Sequence, residues 1–201
     1  TSGLPSYLEG ALYWEQWAGA TPEMTESWND DYTKDYAGRG VWVSTLTGGS
    51  SVNPKMEGKG IPVDLSIAIH SDAGVTPNDS IVGTLAIYTL LSDGKSTYAD
   101  GRSRYLAREL SDIVQTQVCN DIRSEFNPDW TRRGIWDKSY SEARTTSVPG
   151  MILETLSHQN LADMEYGHNP DFKFTLARGV YKGILKFLSN EYNCDYAVQP
   201  L

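Results

Sequence analysis

Two ionisable residues follow apolar, strand-like segments of this 201-residue sequence, and both are of types used in hydrolytic chemistry. His70 comes directly after residues 63–69, a mostly apolar run rich in β-branched residues that predicts a buried strand. Glu154 follows residues 148–153 in the same way. Because ligands of open α/β sheets bind beyond the carboxyl ends of strands, we expect both side chains at one edge of a sheet.

This pair of side chains is suited to the hydrolysis of an unactivated amide with a metal ion. Neutral imidazole is a common zinc ligand, and zinc polarises a carbonyl and lowers the pKa of water to about 7. A nearby carboxylate then acts as general base and carries the proton to the leaving nitrogen. A histidine at a strand end, such as His70, is more often a hydrogen-bonded structural residue. A glutamate after a strand, such as Glu154, is more often a helix-terminal acid or a salt-bridge partner. Spacing alone therefore does not decide between a structural and a catalytic role.

Helices and strands alternate along the chain, which predicts one α/β domain over residues 1–201. The expected architecture is a three-layer sandwich on a mixed, mostly parallel sheet. Apolar periodicity and capping residues place the helices at residues 6–18, 30–46 and 103–123 and after Pro170, and the strands at residues 63–69, 83–91 and 148–153. Residues 47–62 are rich in glycine and proline and predict a long surface loop.

Composition excludes some classes of partner. The net charge is −9, and the 17 Lys and Arg residues are scattered, so a basic nucleic-acid groove is not expected. No apolar run approaches the roughly 20 residues that span a bilayer. The two cysteines, Cys119 and Cys194, are compatible with a disulfide or with two separate thiols.

Three segments in order carry a family resemblance. Residues 61–73 read IPVDLSIAIHSDA, residues 148–160 read VPGMILETLSHQN, and residues 169–184 contain NPDF and ARGVYKGI. Together with Arg39, Leu106 and Arg133-Gly134, they resemble the zinc-dependent N-acetylmuramoyl-L-alanine amidases over about residues 30–188. The resemblance implies a zinc exopeptidase-like (phosphorylase/hydrolase-like) fold. It also implies cleavage of the amide between N-acetylmuramic acid and L-alanine in peptidoglycan.

The same resemblance implies roles for four residues. His70 and Glu9 correspond to ligands of Zn²⁺, and Glu154 corresponds to the catalytic base. Arg133 is a candidate substrate-binding residue. Glu9 also has a structural interpretation, because Ser6 and Glu9 have the spacing of a helix capping box.

The sequence departs from the family at its front and at single positions. The family's first strand and the histidine ligand after it have no counterpart, so we expect a sheet without that strand and an incomplete zinc site unless His158 or His168 substitutes. His158 replaces an apolar residue, and Asp72 stands where the family usually has Asn.

A particular subgroup and location follow from the resemblance. Residues 4–19 resemble a segment of gut Bacteroidetes proteins that follows an inserted β-rich domain of the golvesin type, and such proteins are often labelled xanthan lyases. An exported bacterial protein is therefore expected, whether periplasmic, outer-membrane-associated or secreted. Its partner would be peptidoglycan or a muramyl-peptide.

Other functions remain open from sequence. The same fold and metal serve zinc peptidases that act on plain peptides. A non-catalytic glycan-binding module with a vestigial site is a further alternative, because the many Trp and Tyr residues can stack on sugars, although such residues more often pack in cores. A glycosidase with paired carboxylates ranks lowest, since no spacing singles out a pair.

Overall fold

A computed structural model of the chain describes residues 3–4 and 9–198. In these residues the helices and strands follow in the order α1 (Ala11–Trp17), α2 (Asp31–Thr47), β1 (Ser66–Asp72), β2 (Thr84–Tyr88), α3 (Tyr105–Glu125), β3 (Arg132–Asp137), α4 (Ser141–Arg144), β4 (Gly150–Ser157), α5 (Leu161–Gly167) and α6 (Pro170–Tyr192). Two single 3₁₀ turns lie at Pro22–Thr25 and Pro77–Asp79. The prediction of an α/β domain on a mixed sheet is confirmed.

The chain divides into two compact units, each built from several segments. The first unit comprises residues 1–66, 89–104 and 139–150, and the second comprises residues 67–88, 105–138 and 151–201. The first unit contains α1, α2 and α4. The second contains the sheet together with α3, α5 and α6.

The sheet has the strand order β1-β4-β2-β3. Strand β2 runs parallel to β3 and antiparallel to β4. The backbone N–H of Ser66 donates to Pro149 at 2.9 Å, and that of His158 donates to Asp72 at 2.9 Å, so β1 and β4 advance together and are parallel. Two of the three strand pairs are therefore parallel, as predicted.

Close packing of α3 and α6 forms much of the core of the second unit. Val114 and Val118 of α3 are fully buried. A Cβ atom at Gly183 of α6 would lie 2.8 Å from the Cα atom of Val114, so only glycine permits this approach of the two helices. Of the large aliphatic residues Leu176, Val180, Ile184, Leu185 and Leu188 of α6, only Val180 is buried. The buried face of α6 contains the glycines, because α3 approaches so closely there that larger side chains do not fit.

A buried arginine joins two segments of the first unit, residues 89–104 and 139–150. The guanidinium of Arg104 is 3% exposed and donates to the backbone carbonyls of Thr89, Ala143 and Arg144 at 3.0–3.1 Å. It also lies 4.7 Å from the ring centroid of Tyr98. Carbonyl oxygens and an aromatic face therefore compensate the burial of this charge.

Two carboxylates contact one guanidinium elsewhere in the first unit, and a third, that of Glu15, is buried near them. Arg39 contacts Asp35 at 2.5 Å and Glu142 at 3.0 Å. Glu15 of α1 is 7% exposed, and its buried Oε2 atom has no hydrogen-bond partner in the described part of the chain. Burial and then the charge of Asp35 raise the pKa of Glu15 to about 7, with Arg39 opposing and Glu142 adding to the shift.

We expect Glu15 to make the first unit less stable at higher pH. Its pKa in the folded state lies above the unfolded value of 4.5, so the folded state holds a proton that the unfolded state has lost between about pH 4.5 and 7. The free energy of unfolding therefore falls as pH rises through this window, and the stabilisation is lost above pH 7. Glu15→Gln should flatten this dependence and should be more stable than wild type at pH 8 by about 1–2 kcal/mol.

Urea denaturation of both proteins between pH 4.5 and 8 measures the effect. The exposed residue Glu23 offers a matched control, since Glu23→Gln removes a charge without a burial penalty. Parallel stability profiles for wild type and Glu15→Gln would contradict the expectation.

Several predicted boundaries and elements are wrong. The first helix begins at Ala11 and not near Ser6, which lies outside the described residues, so Glu9 precedes the helix and the capping-box interpretation fails for it. Strands β1 and β4 continue past His70 and Glu154 to Asp72 and Ser157. Strand β3 and helices α4 and α5 were not predicted, because they are short and carry mixed polar and apolar residues. The predictions of α2, of α3, of the loop after α2 and of a helix from Pro170 are confirmed in outline.

Cys119 is buried and Cys194 is exposed, and both are free. Among the described residues, none of the helices combines the length and apolar character that crossing a bilayer requires.

Candidate active site

His70 and Glu154 are neighbours on adjacent parallel strands. The hydrogen bond from Ser66 to the carbonyl of Pro149 sets Ser66 beside Gly150, and four residues further along each strand this register places His70 beside Glu154. The Thr155 hydroxyl donates to the backbone carbonyl of His70 at 2.9 Å, which agrees with this register. The bond from His158 to Asp72 belongs to a register shifted by one residue, so β4 accommodates one extra residue between Gly150 and His158. Strands paired in this way lie roughly 5 Å apart.

The two side chains project from the same face of the sheet. Ala68 packs against a buried cluster of Leu85, Ile87 and Ile152, so these residues share one face. Side chains alternate along a strand, which puts His70 on the side of Ala68 and Glu154 on the side of Ile152. Leu85 stands directly opposite Glu154 in the antiparallel pair β2–β4 and confirms the assignment. We call this surface the catalytic face.

The position of the pair within the strands differs from the prediction. Both residues lie inside strands, with two residues of β1 and three of β4 following them. Both are partly buried. The apolar floor of Leu85, Ile87 and Ile152 is next to them, and a low-dielectric surrounding strengthens electrostatic interactions with a reacting group.

Arg133 reaches the catalytic face from the other edge of the sheet. Its Nη1 atom lies 2.6 Å from Oδ2 of Asp72, and both side chains are partly buried. Asp72 is two residues beyond His70 and therefore points to the same side of β1. The structure thus brings together His70, Glu154, Asp72 and Arg133, and Arg133 keeps its position as a candidate substrate-binding residue.

Glu9 lies in the first unit and is exposed. It lines a cavity of about 440 Å³ together with Leu4, Tyr13 and Trp14. It precedes α1 by two residues and is not a helical residue.

The alternative histidine ligands are not on the catalytic face. The Nδ1 atom of His158 lies 3.1 Å from both the hydroxyl and the carbonyl oxygen of Ser71, whose side chain alternates to the opposite side of β1 from His70. His168 is exposed at the end of α5. Neither position supports substitution for a ligand beside His70.

The donor set fits a zinc ion in part. Catalytic zinc sites usually have three protein ligands and one open position. Across residues 3–4 and 9–198, no group of three or more His, Cys, Asp and Glu side chains is arranged to hold a metal ion. His70 supplies an imidazole of the kind that zinc prefers, but a full set of ligands is not assembled by the described residues.

Some residues of the site were not found from the sequence. Trp136 of β3 lies under the Arg133 guanidinium, 5.5 Å from ring centroid to Cζ, and Gln115 of α3 contacts the backbone there. The sequence contained a weak signal in Arg133-Gly134, which resembled a family motif, but β3 itself was not recognised.

A histidine and a glutamate side by side on a mixed α/β sheet define a candidate hydrolase site. The model of the N-acetylmuramoyl-L-alanine amidase family matches residues 56–186, a range that contains His70, Arg133 and Glu154. The chain belongs to this family.

Solved structures with the same fold are amidases. The N-acetylmuramoyl-L-alanine amidase from Clostridium difficile 630 is similar at 19% identity and a TM-score of 0.51, over 64% of this chain and 60% of that chain. The CwlD amidase from Clostridioides difficile, solved in complex with the GerS lipoprotein, has 15% identity and a TM-score of 0.54, over 86% of this chain and 68% of that chain. Ami1 from Mycobacterium smegmatis, an N-acetylmuramyl-L-alanine amidase, has 14% identity and a TM-score of 0.50, over 76% and 77%. No curated protein matches the sequence significantly.

Proposed function

We propose that this chain provides the core of a zinc-dependent hydrolase that cleaves the amide between N-acetylmuramic acid and L-alanine in peptidoglycan. The observation that carries the proposal is the placement of His70 and Glu154 side by side on the catalytic face, inside the range that matches the amidase family. A family that acts on the cell wall agrees with an exported protein.

His70 and Glu9 are the proposed zinc ligands in this chain. Zinc, when bound, supplies Lewis-acid activation of the carbonyl and of water. Glu154 accepts a proton from the attacking water and donates it to the leaving nitrogen of L-alanine. The apolar residues beneath the pair limit competing hydration of the carboxylate. Arg133 contacts the substrate beside the reacting amide.

The finer classification is part of the same proposal. Residues 4–19, which include α1, support placing the chain in the Bacteroidetes subgroup with an inserted golvesin-type domain. The label xanthan lyase, which implies elimination on a uronate, has no support from a site composed of His70 and Glu154.

Zinc binding by the chain should depend on His70. Because the ligand set is incomplete among the described residues, we expect less than one zinc ion per chain at micromolar metal, measured by equilibrium dialysis and elemental analysis. His70→Ala should weaken the remaining affinity for zinc by about tenfold or more. His158→Ala is the matched control and should leave zinc binding unchanged, since it lies on the other side of β1. Stoichiometric zinc in His70→Ala would contradict the assignment.

Exposed aromatic residues support glycan binding as a second candidate function. In the first unit, Tyr13, Trp14 and Trp17 of α1 are 55%, 59% and 77% exposed, and their rings contact one another edge to face. By contrast, Trp130 is fully buried and packs on Tyr166. Glycan binding that survives both His70→Ala and Glu154→Ala, with no hydrolysis by the intact protein, would favour this function over the amidase.

A peptidase is separated from an amidase by the substrate. Release of the peptide from a muramyl-peptide, without cleavage of the same peptide lacking the sugar, is the result expected for an amidase. Equal cleavage of both would favour the peptidase.

A further inference from the structure

Arg133 projects onto the catalytic face beside a β-bulge in β3. Thr84 pairs with Arg132 and Ala86 pairs with Ile135, so β3 has an extra residue between these pairs. Arg132 lies on the α3 side of the sheet, where it contacts Asp112 at 2.5 Å. Side chains alternate along β3, so Arg133 points to the opposite face from Arg132, and the extra residue puts Trp136, the partner of Ile87, on that same face. Arg132 and Arg133 thus serve opposite faces of one strand.

A buried amide holds the bulge in place. The Nε2 atom of Gln115, on α3, donates to the backbone carbonyls of Thr84 and Arg133, both at 2.9 Å. Gln115 has no exposed surface. The backbone on both sides of the irregular pairing is therefore tied to one rigid helix, and the direction of the Arg133 side chain is set before any substrate binds.

Two side chains then fix the guanidinium itself. Asp72 binds Nη1 at 2.6 Å, and the ring of Trp136 lies beneath Cζ at 5.5 Å. Asp72 is itself held by the backbone N–H of Ala73 at 2.7 Å. The Nε and Nη2 atoms of Arg133 have no hydrogen-bond partner within residues 3–4 and 9–198. The guanidinium of Arg133 is therefore held in one orientation, and its Nε and Nη2 donors are open to a ligand.

The open edge suits a carboxylate. A guanidinium presents parallel N–H donors that match the two oxygens of a carboxylate, and such charge-assisted pairs are about twice as strong as neutral hydrogen bonds. Asp72 and Glu154 give the catalytic face negative charge, so an anionic substrate group needs a positive partner there. Same-face residues of β1 are roughly 7 Å apart, which puts the guanidinium within about two residues of a peptide bound at His70.

We propose that Arg133, positioned by Asp72 and Trp136, binds a free carboxylate of the stem peptide and selects substrates that carry one. The proposal rests on the proposed amidase function for the identity of the peptide. Arg133 contacts the substrate. Asp72 acts through Arg133 and is a positioning residue.

The test compares two muramyl-peptides that differ only in charge. In one the peptide carboxylates are free, and in the other they are amidated. Binding of each to the full chain with Zn²⁺ is measured by calorimetry, and hydrolysis is measured in parallel. We expect wild type to bind the free acid about tenfold to a hundredfold more tightly than the amide. Arg133→Gln should abolish this ratio by weakening binding of the acid alone.

Two further variants make the test specific. Arg132→Gln removes the neighbouring guanidinium from the opposite face and should leave the ratio unchanged. Asp72→Asn keeps the shape of the side chain but not its charge. It should reduce the ratio of acid binding to amide binding without abolishing it. A substitution at a merely structural residue would weaken binding of both ligands equally.

Each outcome decides between the two proposals. A ratio near one in wild type, or a ratio that survives Arg133→Gln, overturns the carboxylate site even if hydrolysis is observed. Selective binding of the acid without hydrolysis supports the carboxylate site and counts against the amidase function. Binding of neither ligand overturns the carboxylate site.

Discussion

Glu154→Gln is expected to lower kcat for amide hydrolysis by about 10²–10⁴-fold, the range for loss of a general base. Glutamine has nearly the same size as glutamate, but it cannot accept the proton of the attacking water at neutral pH. The side chain sits beside His70 above an apolar floor, so no other described carboxylate on β4 can replace it. Substrate affinity should change little, because the reduction concerns the transition state.

Steady-state kinetics with a soluble muramyl-peptide measure this effect. Glu165→Gln is the matched control, since Glu165 is an exposed carboxylate on α5 in the same unit. It should retain wild-type kcat. Circular dichroism and denaturation midpoints establish that both variants fold. If the kcat of Glu154→Gln were within threefold of the wild-type value, Glu154 would not be the general base.

Asp163→Ala is expected to lower the free energy of unfolding by about 3–5 kcal/mol. The Asp163 carboxylate is fully buried and accepts three backbone N–H groups, from Val82 and Gly83 before β2 and from Ser157 at the end of β4. Removing it leaves three buried donors without partners. It also releases the loop at Gly83, whose backbone (φ +79°) passes so close to Thr131 that a Cβ atom would lie 2.1 Å from its carbonyl oxygen.

Urea denaturation with a free fit of the m-value measures the loss. Asp171→Ala is the matched control, because Asp171 is exposed in the first turn of α6. Its loss should cost only the helix-dipole contribution of about 0.3–1 kcal/mol. Equal destabilisation by the two substitutions would show that the three backbone contacts of Asp163 do not add to the free energy of unfolding.

The catalytic pair was predictable from sequence because it depends on strand pattern. Apolar β-branched runs identified β1 and β4, and each run was followed by a residue with suitable chemistry. The exact ends were missed, since β1 begins three residues later than its apolar run and both strands extend through polar residues such as Ser71 and Thr155. Strand ends are set by partners across the sheet, which a single sequence does not display.

The surroundings of the pair were less predictable. Strand β3 reads RRGIWD, with two charges and a glycine, and it becomes a strand because β2 offers hydrogen-bonding groups along its edge. The backbone of Arg133 is held by Gln115, which a helical pattern marks only as one more polar residue. The roles of Asp72 and Trp136 likewise arise from long-range contacts.

Mapping the bond that is cut in purified peptidoglycan tests the central claim most directly. The protein with Zn²⁺ is incubated with peptidoglycan, and the products are identified by mass spectrometry and amino-group labelling. We expect glycan strands with intact N-acetylmuramic acid and peptides with a new free amino group on L-alanine, at a rate that depends on His70 and Glu154. New reducing sugar ends, cleavage within the peptide, or the same products from Glu154→Gln would contradict the assignment.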